Sequence, residues 1–122
     1  MNFQKIYSQL NKQQRKAVDL IDGPVMVIAG PGTGKTQVLA ARIANILAKT
    51  DSDPQSILAL TFTDAAATTM RERLFKMIGS TAYRVRIQTF HSFCDEVIRS
   101  HPEYFELGLE AEPLSQLELT EF

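Results

Sequence analysis

Tryptophan is absent from this chain of 122 residues, and cysteine occurs once, at Cys94. A single thiol cannot close an internal disulfide, so no covalent framework is expected and the sequence suits a reducing cytoplasm. Long apolar runs are missing as well. The longest, such as Val25 to Ala29, reach five residues, against roughly 20 for a membrane-spanning helix. The opening residues, Met1-Asn2-Phe3-Gln4-Lys5, are polar and offer no apolar core for a signal peptide. No membrane partner is expected. Internal repeats and low-complexity segments are lacking. The 44% hydrophobic and 22% charged residues describe an ordinary globular chain with room for one core.

Charge of one sign is also in short supply, with a formal net value of -1. That average hides a gradient. Residues 1–50 carry seven Lys or Arg against two Asp, residues 51–100 carry six of each sign, and residues 101–122 hold six Glu and no base. A basic front and an acidic tail coexist, so the whole-chain value neither supports nor excludes a polyanionic partner.

Asn11, with Gln14 three residues on and Ala17, Val18, Leu20 and Ile21 behind it, reads as a capped amphipathic helix that Gly23-Pro24 ends. Val25 to Ala29 then forms a short apolar run rich in β-branched residues, the pattern of a strand buried on both faces. It stops at Gly30-Pro31-Gly32-Thr33-Gly34. A helix from about Lys35 to Ala48 should follow, burying Leu39, Ile43, Ile46 and Leu47. Thr50 to Ser56 has the chemistry of a surface loop, and Ile57 to Phe62 repeats the buried-strand pattern, which predicts a strand, crossover helix and parallel strand. Asp64 can cap a helix with Ala66, Ala67, Met70, Leu74, Met77 and Ile78 on its apolar side and Gly79 as terminator. Val85 to Gln88 is expected as a third strand. Thr89 is expected to cap a helix running through Phe90, Phe93, Val97 and Ile98 until Pro102. Ser115 to Glu118 has capping-box spacing, and Leu114, Leu117 and Phe122 begin a helical stripe that is not completed, so a piece of a longer protein is expected; a short frayed helix is the alternative.

The stretch from Ala29 through Gly30, Pro31, Gly32, Thr33, Gly34 and Lys35 to Thr36 carries the most chemistry. Its last three residues match a phosphate-binding P-loop, while Ala29 stands where the strict pattern has Gly. Glycines at these intervals let backbone N–H groups turn inward around an anion, and the following helix adds its positive dipole end. A cation such as Lys35 in a first helical turn is disfavoured unless an anion sits there. Lys35 and Thr36 are therefore the expected catalytic pair, Lys35 reaching the β- and γ-phosphates and the Thr36 hydroxyl holding Mg²⁺. A hydrolase of this kind also needs an acidic metal partner at a strand end. Asp19 and Asp22 precede the loop on a helix and Asp95-Glu96 lies within one, so that partner is expected outside this chain.

Four ordered motifs between Leu10 and Ile98 resemble the N-terminal part of a superfamily 1 DNA helicase of the UvrD/Rep/PcrA type. Leu10 to Val18 is similar to the Q motif, in which Gln14 would bond adenine; completing the cap with Asn11 is the plainer role. Ala29 to Thr36 is similar to motif I, whose family form also begins with Ala. Ala59-Leu60-Thr61-Phe62-Thr63-Asp64-Ala65-Ala66 resembles motif Ia, and Thr89-Phe90-His91-Ser92-Phe93-Cys94 the next DNA-contacting motif. The resemblance implies single-stranded DNA contacts by Phe62, Thr63, Thr89 and His91, with ATP and Mg²⁺ as cofactors held by residues 29–37 and Gln14. Phe62 and Phe90 as core residues are the alternative, and His91 with Cys94 offers too few ligands for a structural zinc. Asp64 and Ala65 depart from the family's Asn and base, adding an acid near the expected DNA path. Gln37 replaces an Arg that packs near the nucleotide in relatives.

The expected fold is α/β, a P-loop NTPase (RecA-like) parallel sheet with helices on both faces, in an incomplete domain. Residues 1–106 would open the first motor domain and residues 107–122 an inserted helical subdomain. The resemblance implies a cytoplasmic parent that couples ATP hydrolysis to movement along single-stranded DNA and to unwinding of duplex DNA in replication or repair. The chain by itself is expected to be inactive. A helicase-nuclease fusion, a small P-loop phosphotransferase and a noncatalytic nucleotide-binding module are the rival readings.

Overall fold

The computed structural model describes residues 3–32 and 34–105, which fall into two compact units, one ending at Phe90 and the other starting at His91. In the first unit, helix α1 (Phe3–Gln9) is followed by α2 (Lys12–Asp19). An extended connection then leads to α3 (Lys35–Lys49), strand β1 (Leu58–Thr61), α4 (Asp64–Ile78) and strand β2 (Arg86–Thr89). Helix α5 (Phe90–Ser100) begins directly after β2 and runs into the second unit. Among the described residues no helix is long and apolar enough to cross a membrane.

The two strands pair in parallel, with Leu58 opposite Arg86 and Thr61 opposite Thr89. The chain is therefore α/β, and α4 is the crossover between its parallel strands. Helix α4 packs on both strands and α3 packs on α4, with α1 against both of these helices and α2 on α3. The core lies between these layers. Val18, Ala40, Ala41, Met70, Leu74, Val85 and Ile87 are all buried there.

The expected strand over Val25 to Ala29 does not form, and with it the first strand-helix-strand unit is lost. A strand needs a ladder partner for its backbone groups. None of the described residues pairs with this run, and Met26 and Ile28 stand 86% and 92% exposed. The sheet that does form is covered on one face. Thr61, Ile87 and Thr89 are buried while Leu58 and Arg86 are exposed, so the strands are half-buried rather than buried on both faces.

Smaller corrections follow tertiary partners. Helix α2 stops at Asp19, before Gly23, because α3 supplies its terminal carbonyls with donors. Arg42 Nη2 donates to the Leu20 oxygen at 2.9 Å and buried Asn45 Nδ2 to the Val18 oxygen at 3.0 Å. On α3, Leu39 is exposed where burial was expected, Ile43 is buried, and Ile46 and Leu47 are half-buried; the small Ala40, Ala41 and Ala44 form the close-packed face instead. Thr63, not Asp64, caps α4, its Oγ1 accepting from the Ala66 amide, and Gly79 ends that helix at φ 72° as expected. The third strand forms one residue later than Val85. The Pro54–Ser56 turn lies in the expected loop, capped by Asp53. Helix α1 has no counterpart in the sequence reading, and the helical stripe expected from Leu114 onward lies outside the described residues.

Candidate functional site

The cap of α2 has the expected form, and its geometry places one end of the site. The Asn11 side chain accepts from the Gln14 amide at 2.8 Å, and Gln14 Oε1 accepts from the Asn11 amide at 2.9 Å. Gln14 therefore fills the plainer role. It also faces the glycine loop, because a Cβ added at Gly34 would meet Gln14 Nε2 at 3.4 Å. The loop thus approaches α2 closely at a residue without a side chain.

Gly32 and Gly34 carry the loop's backbone demands, at φ 74° and 76°, a region that L side chains rarely adopt. Gly34 is the N-terminal cap residue of α3 and offers no side-chain bond to that helix end, so the first amides of α3 are not claimed by a capping side chain there. Gly30 and Gly32 have nothing within 4 Å of where a Cβ would stand, which leaves room beside the loop. Lys35 is the first residue of α3 and is exposed. Open space beside Gly30 and Gly32, a helix start at Gly34 and one exposed cation, Lys35, therefore stand close together in the chain. Thr36 and Gln37 follow, both half-buried; Thr33 lies outside the described residues.

Gln13, Gln14, Ala29, Gly30, Lys35 and Leu39 are among the residues around a cleft of about 400 Å³. Three separate pieces of chain, the capped turn of α2, the extended run before the loop and the first turn of α3, thus meet at one space. Val27 and Ile28, expected in a strand, supply part of its apolar wall. Its size suits a nucleotide-sized ligand. Pro31 is exposed and, like Thr36 and Gln37, is not among the residues lining the cleft. Gln37 instead turns to α4, its Oε1 accepting from Arg73 Nη1 at 3.0 Å. Nothing in the sequence reading pointed to Arg73, since the two positions are 36 residues apart and no local rule relates them.

A second surface comes from the parallel register. Because Thr61 sits opposite Thr89, the residues that follow them, Phe62 and Phe90, emerge side by side, with ring centroids 5.2 Å apart at 34°. Phe62 is 86% exposed and Phe90 42%, so neither is core. Thr63 is committed to capping α4, while the Thr61 hydroxyl donates to the Thr63 carbonyl at 3.1 Å and braces the turn. Thr89 is buried at the end of β2. His91 is exposed and opens the second unit. The two phenyl faces offer a platform on which a planar ring can stack.

Residues 10–120 match the family model described as the UvrD/REP helicase N-terminal domain. A probable DNA helicase II homolog of Rickettsia felis is 46% identical over 109 residues, covering 89% of this chain and 16% of its own length. DNA helicase II of Rickettsia typhi is 44% identical over 109 residues with the same coverage. The ATP-dependent DNA helicase PcrA of Staphylococcus aureus is 42% identical over 94 residues, 77% of this chain and 13% of that protein. The chain thus spans about a sixth or less of the length of these relatives.

Proposed function

Because this chain belongs to the UvrD/REP helicase N-terminal domain family, we propose that it is the ATP-binding opening part of an ATP-dependent DNA helicase. In this reading residues 1–106 begin a RecA-like P-loop motor domain and residues 107–122 enter an inserted helical subdomain. The parent protein moves along single-stranded DNA and separates duplex DNA at the expense of ATP. The observation that carries the reading is the cleft where Gln14, the glycine loop and Lys35 converge from three parts of the chain.

The adenine edge would meet Gln14, whose side-chain amide stands beside the glycine loop at Gly34. The phosphates would lie on the open side of Gly30 and Gly32 and beside Gly34, where the amides at the start of α3 and the Lys35 ammonium stabilise their charge. Bound Mg²⁺ would neutralise charge on the β- and γ-phosphates, with the Thr36 hydroxyl to hold it. Pro31 and Thr33 complete the loop, and Gln37 acts from behind it rather than at the base. On the DNA side, the exposed Phe62 and Phe90 rings stack on unpaired bases, Thr63 shapes their loop, and His91 follows them in sequence. An acidic metal partner and a second motor domain come from the remainder of the parent, so this chain alone turns ATP over negligibly.

The test is a titration of the chain with fluorescent ATP and GTP analogues and with labelled oligothymidylate. ATP is expected to bind more tightly than GTP, and Lys35→Ala to weaken both at least tenfold. Gln14→Ala should shrink the preference for ATP. Equal affinity of the parent chain and Lys35→Ala for ATP overturns the assignment of the loop.

A further inference from the structure

We propose that Arg73 is a positioning residue that couples the phosphate loop to the aromatic DNA surface through its bond to Gln37, an inference that rests on the function proposed above. Three observations carry it. Arg73 is half-buried on α4, and its Nη1 donates to Gln37 Oε1 at 3.0 Å, tying α4 to the first turn of α3, where Lys35 and Thr36 also sit. The N-terminal end of the same α4 is closed by Thr63, the residue after Phe62, and Thr61 is bonded to the Thr63 carbonyl. Ala40, Ala41 and Ala44 of α3 and Met70, Leu74 and Met77 of α4 belong to one buried apolar cluster, and apolar packing of this kind fixes distance without a preferred direction.

A rigid helix of ten residues, about 15 Å, therefore separates Arg73 from the Phe62–Thr63 turn. A base stacked on Phe62 biases the position of that turn and of the α4 end it caps. Arg73 delivers the displacement to Gln37, two residues beyond Lys35. The guanidinium fork is suited to this because it is planar and directional, whereas a methylene chain would slide. By reciprocity, phosphate on the loop changes the affinity of the aromatic pair for DNA by the same factor. The Gln at position 37 is what makes the link: an amide oxygen accepts from Arg73, and a second arginine there would offer donors only.

The experiment measures the affinity of a fluorescent ATP analogue for the chain with and without saturating oligothymidylate, in the parent chain, Arg73→Met, Gln37→Leu, the double variant and Gln37→Glu, with thermal melts for each. In the parent chain the oligonucleotide is expected to shift the nucleotide Kd about 5-fold or more. Arg73→Met and Gln37→Leu should each bring that ratio near one, with no further change in the double variant and with ATP affinity in the absence of DNA altered less than the ratio. Gln37→Glu keeps an acceptor for Arg73 and should retain the ratio, which a merely structural role would not predict. Binding of both ligands with the same ratio in Arg73→Met as in the parent chain overturns the coupling alone, as does a ratio of one in the parent chain. Absence of nucleotide binding by the parent chain overturns the reading of the loop and the coupling with it.

Discussion

The Tyr7 hydroxyl lies 2.9 and 2.8 Å from the two Asp19 oxygens, so a single phenol donor fastens α1 to the end of α2, while the Arg15 guanidinium lies over the Tyr7 ring. Donating to a carboxylate raises the Tyr7 pKa above its ordinary 10.0, with desolvation and the negative charge of Asp19 adding to the effect and Arg15 opposing it. The folded value exceeds the unfolded one, so the contact's stabilisation is fully present below about pH 10 and is lost as pH rises through the raised value. A phenolate absorbance titration should show Tyr7 ionising late. Asp19→Asn should return it to the ordinary range, and an unchanged titration in that variant would refute the assignment. At this scale spacing identified Gln14 as the partner of Asn11 in the cap, whereas Phe62 as a surface residue and Thr89 as a buried one depend on which face of β1 and β2 the helix layer covers.

Helix ends show where local chemistry suffices and where it does not. The Asn11–Gln14 box is entirely local, four residues that satisfy each other, and was legible for that reason. Thr63 and Asp64 are both competent caps, and the choice fell to Thr63, whose oxygen reaches the Ala66 amide. The end of α2 was not legible, because its carbonyls are satisfied by Arg42 and Asn45 from more than 20 residues away. Asn45 is 3% exposed, so removing its amide leaves the buried Val18 carbonyl without that donor. Asn45→Ala should therefore cost about 1–3 kcal/mol in urea unfolding. A cost near zero would mean that water or a neighbour replaces the bond. Helix α1, seven residues with only Ile6 buried, has neither the length nor the apolar stripe that periodicity can detect.

Across the whole molecule, stability comes from α4 and the elements packed on it rather than from the run before the glycine loop. Leu74 is fully buried among the helices, and Leu74→Ala should cost about 2–5 kcal/mol, enough to threaten the fold. Ile28 is 92% exposed. Ile28→Asp should change the stability of this chain by no more than about 0.5 kcal/mol. Denaturation of both variants beside the parent chain separates the two expectations; a large loss at Ile28 would show that the run is packed after all.

Sequence by itself determined the local features of this protein: the capped turn of α2, the glycine loop opening α3, the apolar face and terminator of α4, and the family to which these motifs point. Each rests on interactions between residues a few positions apart, which spacing encodes directly. Only the tertiary structure decided which apolar run becomes a strand, since Val25 to Ala29 and Ile57 to Phe62 read alike and just one of them has a ladder partner among the described residues. It also decided that Phe62 and Phe90 stand together in the open and that Arg73 meets Gln37. Those outcomes depend on strand register and helix packing, which bring together residues 28 and 36 positions apart.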